Sequence, residues 1–201
     1  SIASETEELR KFGKELRTKL LPAQKNLRAL FSGGTLCYEA QVIWRDLLSK
    51  PVWSNAPLEK AYQMPDSLHS QAHTTVDLGE EEFTVGRPHP MIDNDLRIRR
   101  LLQEAADPAT AVILLDVVLG YGAHPDPADE LGSAILKART LAAQDGRELL
   151  VVGADRDRLG LVLAVLAQDD PPLEVRGGRW LVRGQRFGYR FCRLLHEWRH
   201  P

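Results

Sequence analysis

Two stretches of this sequence put small, backbone-exposing residues where an anion could be held. Ser32-Gly33-Gly34-Thr35 follows the apolar run LRALF and opens an amphipathic segment. Gly120-Tyr121-Gly122-Ala123-His124 follows the apolar run TAVILLDVVLG and leads toward a second one. A glycine-rich turn between a strand and a helix can aim backbone N–H groups at a phosphate or carboxylate, and the positive end of the helix dipole adds to the attraction. The same glycines also serve plain strand-to-helix turns, since a lone Gly-Gly is a weak phosphate signal. A further candidate is GRPHP, where Pro88 and Pro90 fix the backbone at small entropic cost. Arg87 and His89 on that rigid connection could clamp a carboxylate or phosphate with paired donors, or brace loop carbonyls beside the next helix. His124 has the same two readings: an anion contact at a helix amino end, or a loop histidine that caps and packs.

Other residue types narrow the chemistry. Cys37 lies in the first turn of a helix, where a thiol pKa tends to fall, yet its pattern position is that of a small residue packed on a sheet. Asp116 sits inside an apolar strand and must be paired if charged; a hydrogen bond to a neighbouring loop accounts for it more simply than a substrate hook. Asp93 reads as a helix cap. The six histidines and two cysteines show no ligand spacing, so no metal site is expected. There is no G-x-S-x-G elbow, no G-x-G-x-x-G stretch and no Walker-type loop, and no catalytic residue is assigned.

The elements that would position these residues alternate along the chain. LRALF (27–31) reads as a buried strand, Thr35 to Leu48 as a helix, and 49–73 as a long Pro-marked loop. TTVDLGE (74–80) reads as a strand and EFTVGRPHPMID as an irregular, rigid connection. A helix carrying Leu96, Ile98, Leu101 and Leu102 ends near Asp107-Pro108. TAVILLDVVLG (110–120) is almost continuously apolar, as a central parallel strand buried on both faces should be. A helix from Pro127 to Gln144 and the strand ELLVVGA (148–154) come next. Strand, helix, strand, helix at this spacing predicts right-handed βαβ units in an α/β, doubly wound, mostly parallel sheet with helices on both faces. In such sheets ligands bind beyond the carboxyl ends of the strands, where both glycine turns lie. Residues 3 to 21 place Leu9, Phe12, Leu16 and Leu20 on one face, with Ser4 and Glu7 as a capping box, and predict an N-terminal helical arm.

The composition sets outer bounds. A net charge of -2 gives no broad field for nucleic acid or an anionic membrane, so neither partner is expected. No apolar run approaches the roughly 20 residues of a membrane span, and no signal peptide is evident. Two cysteines far apart fit a reducing, cytoplasmic setting. The chain starts at Ser1, which reads as a processed protein or a piece of a longer one.

The segments LFSGGTLCYEA, DLGEEEFTVGRPHPMID and VILLDVVLGYGAHPDPA, in that order, resemble the carboxyl-terminal region of FdrA-type proteins, an acyl-CoA synthetase family related to succinyl-CoA synthetase. The resemblance runs from about Leu27 to Gly153 and implies a flavodoxin-like CoA-ligase domain. In the wider family acyl-CoA and phosphate form an acyl phosphate, and the phosphoryl group passes through a phosphohistidine to a nucleotide. Two helix amino ends point at that phosphohistidine, which here maps onto Gly33-Gly34-Thr35 and Gly122-Ala123-His124. The resemblance therefore implies CoA and a nucleotide as cofactors, with Mg as a further candidate, bound largely by domains outside these residues. It also implies partners: other domains or subunits of a larger assembly, and an acyl or carbamoyl phosphate as the small molecule. FdrA-type proteins are linked as well to oxamate carbamoyl transfer in allantoin breakdown, so a carbamoyltransferase subunit is the alternative. A non-catalytic subunit-interaction domain is the rival from another class.

After Gly153 the chain departs from the family pattern. Residues 154–201 form an Arg-, Gly- and Trp-rich tail that reads either as a frameshifted segment or as a divergent extension. The expected organisation is thus an arm over 1–26, a CoA-ligase-like domain over 27–153 and the tail over 154–201. The amphipathic arm, the long 49–73 loop and a sheet edge that such a tail need not cover together predict an oligomer.

Overall fold

The computed structural model describes residues 15, 17–48, 50–154, 163–165, 174–176 and 179–181. Most of the expected helical arm, with its Ser4–Glu7 box, Cys192 and most of the basic tail lie outside the described residues.

Strand β1 (Asn26–Phe31) leads into helix α1 (Gly34–Leu48). The long connection then holds a short strand, β2 (Val52–Ser54), and a 3-10 turn at Lys60–Tyr62, where Trp53 and Tyr62 meet edge to face at 6.0 Å. Strand β3 (His73–Asp77), the single helical turn α2 (Glu81–Thr84) and helix α3 (Asp95–Ala106) come next. The last elements of the main sheet are β4 (Thr110–Asp116), α4 (Pro127–Gln144) and β5 (Leu150–Ala154). The strand order is β2-β3-β1-β4-β5, all parallel, and β6 (Leu163–Val165) adds antiparallel to β5. The β5 edge is therefore paired, not open. A separate two-stranded piece joins β7 (Glu174–Arg176) to β8 (Arg179–Leu181).

The strand period of two divides the sheet between two apolar layers. Ala29, Phe31, Leu114 and Leu150 face α1 through Leu36, Cys37 and Ala40. Leu30, Ile113, Leu115 and Val151 face α3 and α4 through Leu101, Ala105, Ile135 and Ala138. This is the doubly wound arrangement expected from the alternation of elements. Among the described residues no helix is long and apolar enough to cross a membrane.

Helix α3 departs from the simple amphipathic reading. Its buried face carries Arg97, Arg100 and Glu104 alongside Leu101 and Ala105. Arg100 Nε donates to Glu104 Oε1 at 2.7 Å, and Ser70 Oγ donates to the same oxygen while accepting from Arg100 Nη2. Arg28, in the middle of β1, reaches Asp107 Oδ2 at 2.7 Å. Its Nε lies 3.0 Å from Glu104 Oε2 without making a proper N–H···O bond, so that contact is ionic. Buried charges of this kind persist only when paired, and here they join β1, the 67–70 loop and α3.

The pair with the most consequence is Arg97 with Asp116. Arg97 Nη2 donates to Asp116 Oδ1 at 2.8 Å and also to the Asp116 carbonyl, with both side chains almost fully buried. Removing one partner of such a pair strands the other charge, at a cost of about 3–5 kcal/mol. Arg97→Ala is expected to lose that much stability in urea denaturation. Arg97→Met combined with Asp116→Asn, which removes both charges, is expected to recover part of it. Equal losses in the single and double variants would mean that the charge is not what matters.

Candidate functional site

The chain places β3 on one side of β1 and β4 on the other, so a crevice opens at the carboxyl end of β1, the switch point where ligands bind in such sheets. The register then decides which side chains line it. Phe31 pairs with Asp77, and Leu30 pairs with Leu115, which puts Asp116 level with the exit of β1 on the opposite side. Two aspartates from different strands therefore flank Ser32-Gly33-Gly34.

Their environments differ. Asp116 accepts from the Ser32 backbone N–H at 3.0 Å, from Ser32 Oγ and from Arg97. Its charge is matched, and both Ser32 donors are used up in matching it. Asp77 is only 3% exposed and has no Lys or Arg ion-pair partner among the described residues. Its Oδ1 accepts from the Gly79 N–H at 2.8 Å, and Asn55 holds its main chain on both sides, accepting from Asp77 N and donating to Asp77 O at 2.9 Å each. Desolvation raises the Asp77 pKa, helped by the charges of Glu80 and Asp116 and opposed by the Gly79 N–H and by His89.

Between the aspartates, α1 begins. Its first turn carries no acidic residue. The first N–H groups of a helix have no partner within it, and among the described residues no other acceptor reaches Gly33, Gly34 or Thr35. Thr35 is exposed, while Gly33 and Gly34 are half-buried. A Cβ on Gly34 would stand 3.0 Å from Asp77 Oδ2, and one on Gly33 would meet nothing within 4 Å. Gly79 is tighter: a Cβ there would lie 2.7 Å from the Ser32 carbonyl and 3.0 Å from His89 Nε2. His89 Nδ1 accepts from the Met91 N–H, so the neutral ring carries its proton on Nε2, facing this crevice.

The second predicted turn is built differently. β4 ends at Asp116, well short of Gly120, and α4 opens at Pro127, beyond His124. Gly122-Ala123-His124 therefore lies in an irregular loop and does not itself open the helix. Gly120 and Gly122 have φ of +130 and +83, which explains the glycines as backbone requirements. The amino end of α4 is already served: the Asp126 side chain caps it by accepting from Asp129 N, and Asp129 and Glu130 fill the first turn. His124 Nδ1 accepts from Asp126 N, and Nε2 lies 3.5 Å from Glu130 Oε2. The loop is docked on the GRPHP connection through His124 N donating to the Met91 carbonyl at 2.7 Å. Arg87 is exposed, and among the described residues its guanidinium has no partner.

The structure thus brings Ser32, Gly33, Gly34, Thr35 and His89 to one crevice, with Gly122, Ala123 and His124 on an adjoining loop. Asp77 and Gly79 were not singled out from sequence. Their signal was Asp-Leu-Gly closing a strand, which reads equally as the strand's continuation. Asp93 Oδ1 accepts from Asp95 N at 2.8 Å, the capping bond expected of it, although Asn94 occupies the cap position itself. Cys37 is fully buried against Ser54 and Gln41, and desolvation pushes its thiol up to about 11, the state of a packed residue and not of a nucleophile. Among the described residues no group of three His, Cys, Asp or Glu is placed to hold a metal ion.

A CoA-ligase family model matches residues 30–154, the span that contains every residue of this crevice. The chain is also 43% identical over 147 residues to a protein of Escherichia coli strain K12 named "Uncharacterized protein YahF". That similarity covers 71% of this chain and 28% of the relative, so the chain spans less than a third of the relative's length.

The contrast between the tightly packed Gly79 and the open Gly33 can be tested directly. Gly79→Ala pushes a methyl into a backbone carbonyl and is expected to cost about 1–3 kcal/mol, whereas Gly33→Ala, entering open space, should change stability by less than about 0.5 kcal/mol. Equal effects in chemical denaturation would contradict the geometry.

Asp77 gives a pH signature. Its folded pKa is raised, so between the ordinary aspartate value near 4 and the raised one the folded state binds more protons than the unfolded state, and stability falls as pH rises. Asp77→Asn keeps an acceptor for the Gly79 N–H and removes that penalty. The variant is expected to melt a few degrees above wild type at neutral pH, with the advantage vanishing at about pH 4. A constant offset at every pH would show that the charge is not responsible.

Proposed function

This chain belongs to the CoA-ligase family, and from that premise we propose that it is the phosphoryl-handling domain of an FdrA-type acyl-CoA synthetase, working on an acyl phosphate and a CoA thioester within a larger assembly. One observation carries the reading. At the switch point of the sheet, the amino end of α1 presents the N–H groups of Gly33, Gly34 and Thr35 without an acceptor among the described residues and without an acidic residue in its first turn. Such an end attracts a phosphoryl group through its dipole and through directed hydrogen bonds, and a preorganised set of donors stabilises charge that develops on transferring oxygens. His89 Nε2 adds a donor from the side, while Arg87 is an exposed cation on the same rigid connection. The amino end of α4, closed by Asp126, Asp129 and Glu130, supports the reading less.

Of the groups the family implies, a phosphoryl group is the one these residues fit. CoA, the nucleotide and Mg enter as groups carried largely by other domains or subunits, and no step is routed through them. A multi-component, oligomeric and cytoplasmic enzyme belongs to the same reading.

Inorganic phosphate is expected to raise the melting temperature of the wild-type chain. A ligand at a hundredfold excess over its Kd adds about 2.7 kcal/mol, a shift of several degrees for a chain of this size. Gly34→Val, whose side chain would enter the space between α1 and Asp77, should fold and lose the phosphate response. Equal protection of wild type and variant would place phosphate elsewhere.

A further inference from the structure

Away from the α1 crevice, a groove of about 590 Å³ opens between the amino halves of α3 and α4, a volume in the range of recognition pockets. Its floor is apolar: Ile98 and Leu102, both half-buried, form it with Ala134, and Ile92 lines it while 53% exposed. Its other lining residues include four carboxylates, Asp93, Asp95, Asp129 and Glu130, against one lysine, Lys137. Arg99 pairs with Asp95. Asp93 Oδ1 accepts from Asp95 N and Glu130 Oε2 accepts from Asn94 Nδ2 at 3.1 Å, bonds that hold the carboxylates in place without cancelling their charge. Among the described residues no Lys or Arg pairs with Asp93, Asp129 or Glu130. The groove therefore suits an occupant that brings apolar side chains and positive charge together.

The chain carries such an occupant in its own sequence. Residues 182–201 hold five arginines against one glutamate. Phe187, Phe191, Leu194 and Trp198 recur at intervals of four, three and four, and Arg183, Arg186, Arg190 and Arg193 at three, four and three, the spacing that gathers each set on one helical face. We propose that the groove between α3 and α4 is the docking surface for this segment, with its aromatic and leucine side chains on Ile98 and Leu102 and its guanidinium groups on Asp93, Asp129 and Glu130. Apolar burial supplies the affinity, and the carboxylates set register and orientation. The tether is long enough: even with β7 and β8 folded back on each other, residues 166–173 can span roughly 25 Å from β6. It also makes the encounter intramolecular, which raises the effective concentration of the segment at the groove. This inference stands whether or not the α1 crevice binds phosphate.

Trypsin cleaves after arginine, so the unmodified full chain reports the docking directly. Cleavage after Arg186, Arg190 and Arg193 is expected to run about tenfold slower in the chain than in a free peptide of residues 182–201 at low ionic strength. The gap is expected to close in about 1 M NaCl, where the Debye length is about 3 Å. Equal rates in chain and peptide at low salt would overturn the proposal. The place of docking is read through Cys192, which lies within the segment, while Cys37 is fully buried. In a Ser133→Cys chain treated with diamide, a disulfide between positions 133 and 192 is expected to form about tenfold faster than one between 39 and 192 in a Glu39→Cys chain. Ser133 lines the groove, whereas Glu39 is exposed on α1, on the opposite face of the sheet. Adding Asp129→Asn and Glu130→Gln to Ser133→Cys is expected to remove that advantage. Equal rates at the two positions, or an advantage indifferent to those charges, would overturn the proposal. Bridges linking two chains would assign the groove to a second copy's segment and overturn the intramolecular docking.

Discussion

The exit of β1 is held by a single carboxylate. Asp116 ends β4, accepts both donors of Ser32 and is itself neutralised by Arg97 from α3. Three elements that are far apart in sequence meet at this side chain. Without the Ser32 bonds the chain leaving β1 would have no fixed path into α1, and the helix start would lose its position relative to the crevice. Without Arg97 the carboxylate would be a buried, unmatched charge, which is costly in a low-dielectric interior. The glycine turn needs no further side chain to orient it, because the strand end on its flank already does so.

Asp77 occupies the mirror position on the other side of β1 and is treated in the opposite way. The register makes the two aspartates near-equivalent in place, yet among the described residues one has a guanidinium and the other has none. A fold selected only for stability would pair both or replace one. An acid held in a desolvated position, with its main chain fixed by Asn55 and its neighbour Gly79 packed against a carbonyl, is destabilising by itself. Stability given up at this crevice, whose backbone donors have no acceptor among the described residues, fits the phosphoryl site proposed above.

Much of the fold was legible in the sequence because periodicity carries it. The helix from Pro127 to Gln144 came out as observed and the apolar run from Thr110 formed a strand, though it stops at Asp116 and not at Gly120, since a strand buried on both faces and a Pro-opened helix leave plain marks. β2 was hidden inside the 49–73 loop, being too short to show alternation. The charged inner face of α3 was hidden differently. Arg97, Arg100 and Glu104 keep helical spacing, but charge at those positions reads as a solvated face until Arg28 and Asp116 supply partners from β1 and β4. The site was half legible. Gly33 and Gly34 announce a turn, but Asp77 joins them only through strand register, which no local pattern contains.

The two glycine turns, similar as strings, end in different electrostatics because their downstream residues differ. After Gly34 come Thr35, Leu36 and Cys37, none of which can accept from the helix's first N–H groups as a carboxylate would, so those donors stay available. After Gly122 the chain runs on through His124 to Asp126-Pro127, and Asp129 and Glu130 then occupy the first turn. Acid in the first turn stabilises a helix by meeting the dipole, and by the same interaction it removes the attraction an external anion would feel. His124, bonded on one ring nitrogen to Asp126 N and facing Glu130 with the other, belongs to that closed arrangement. One turn has thus become a structural corner that braces the GRPHP connection through Met91, and the bracing sets the position from which His89 faces the other turn. The acid content of each helix's first turn thus separates the turn that serves as a support from the one proposed above as a phosphoryl site.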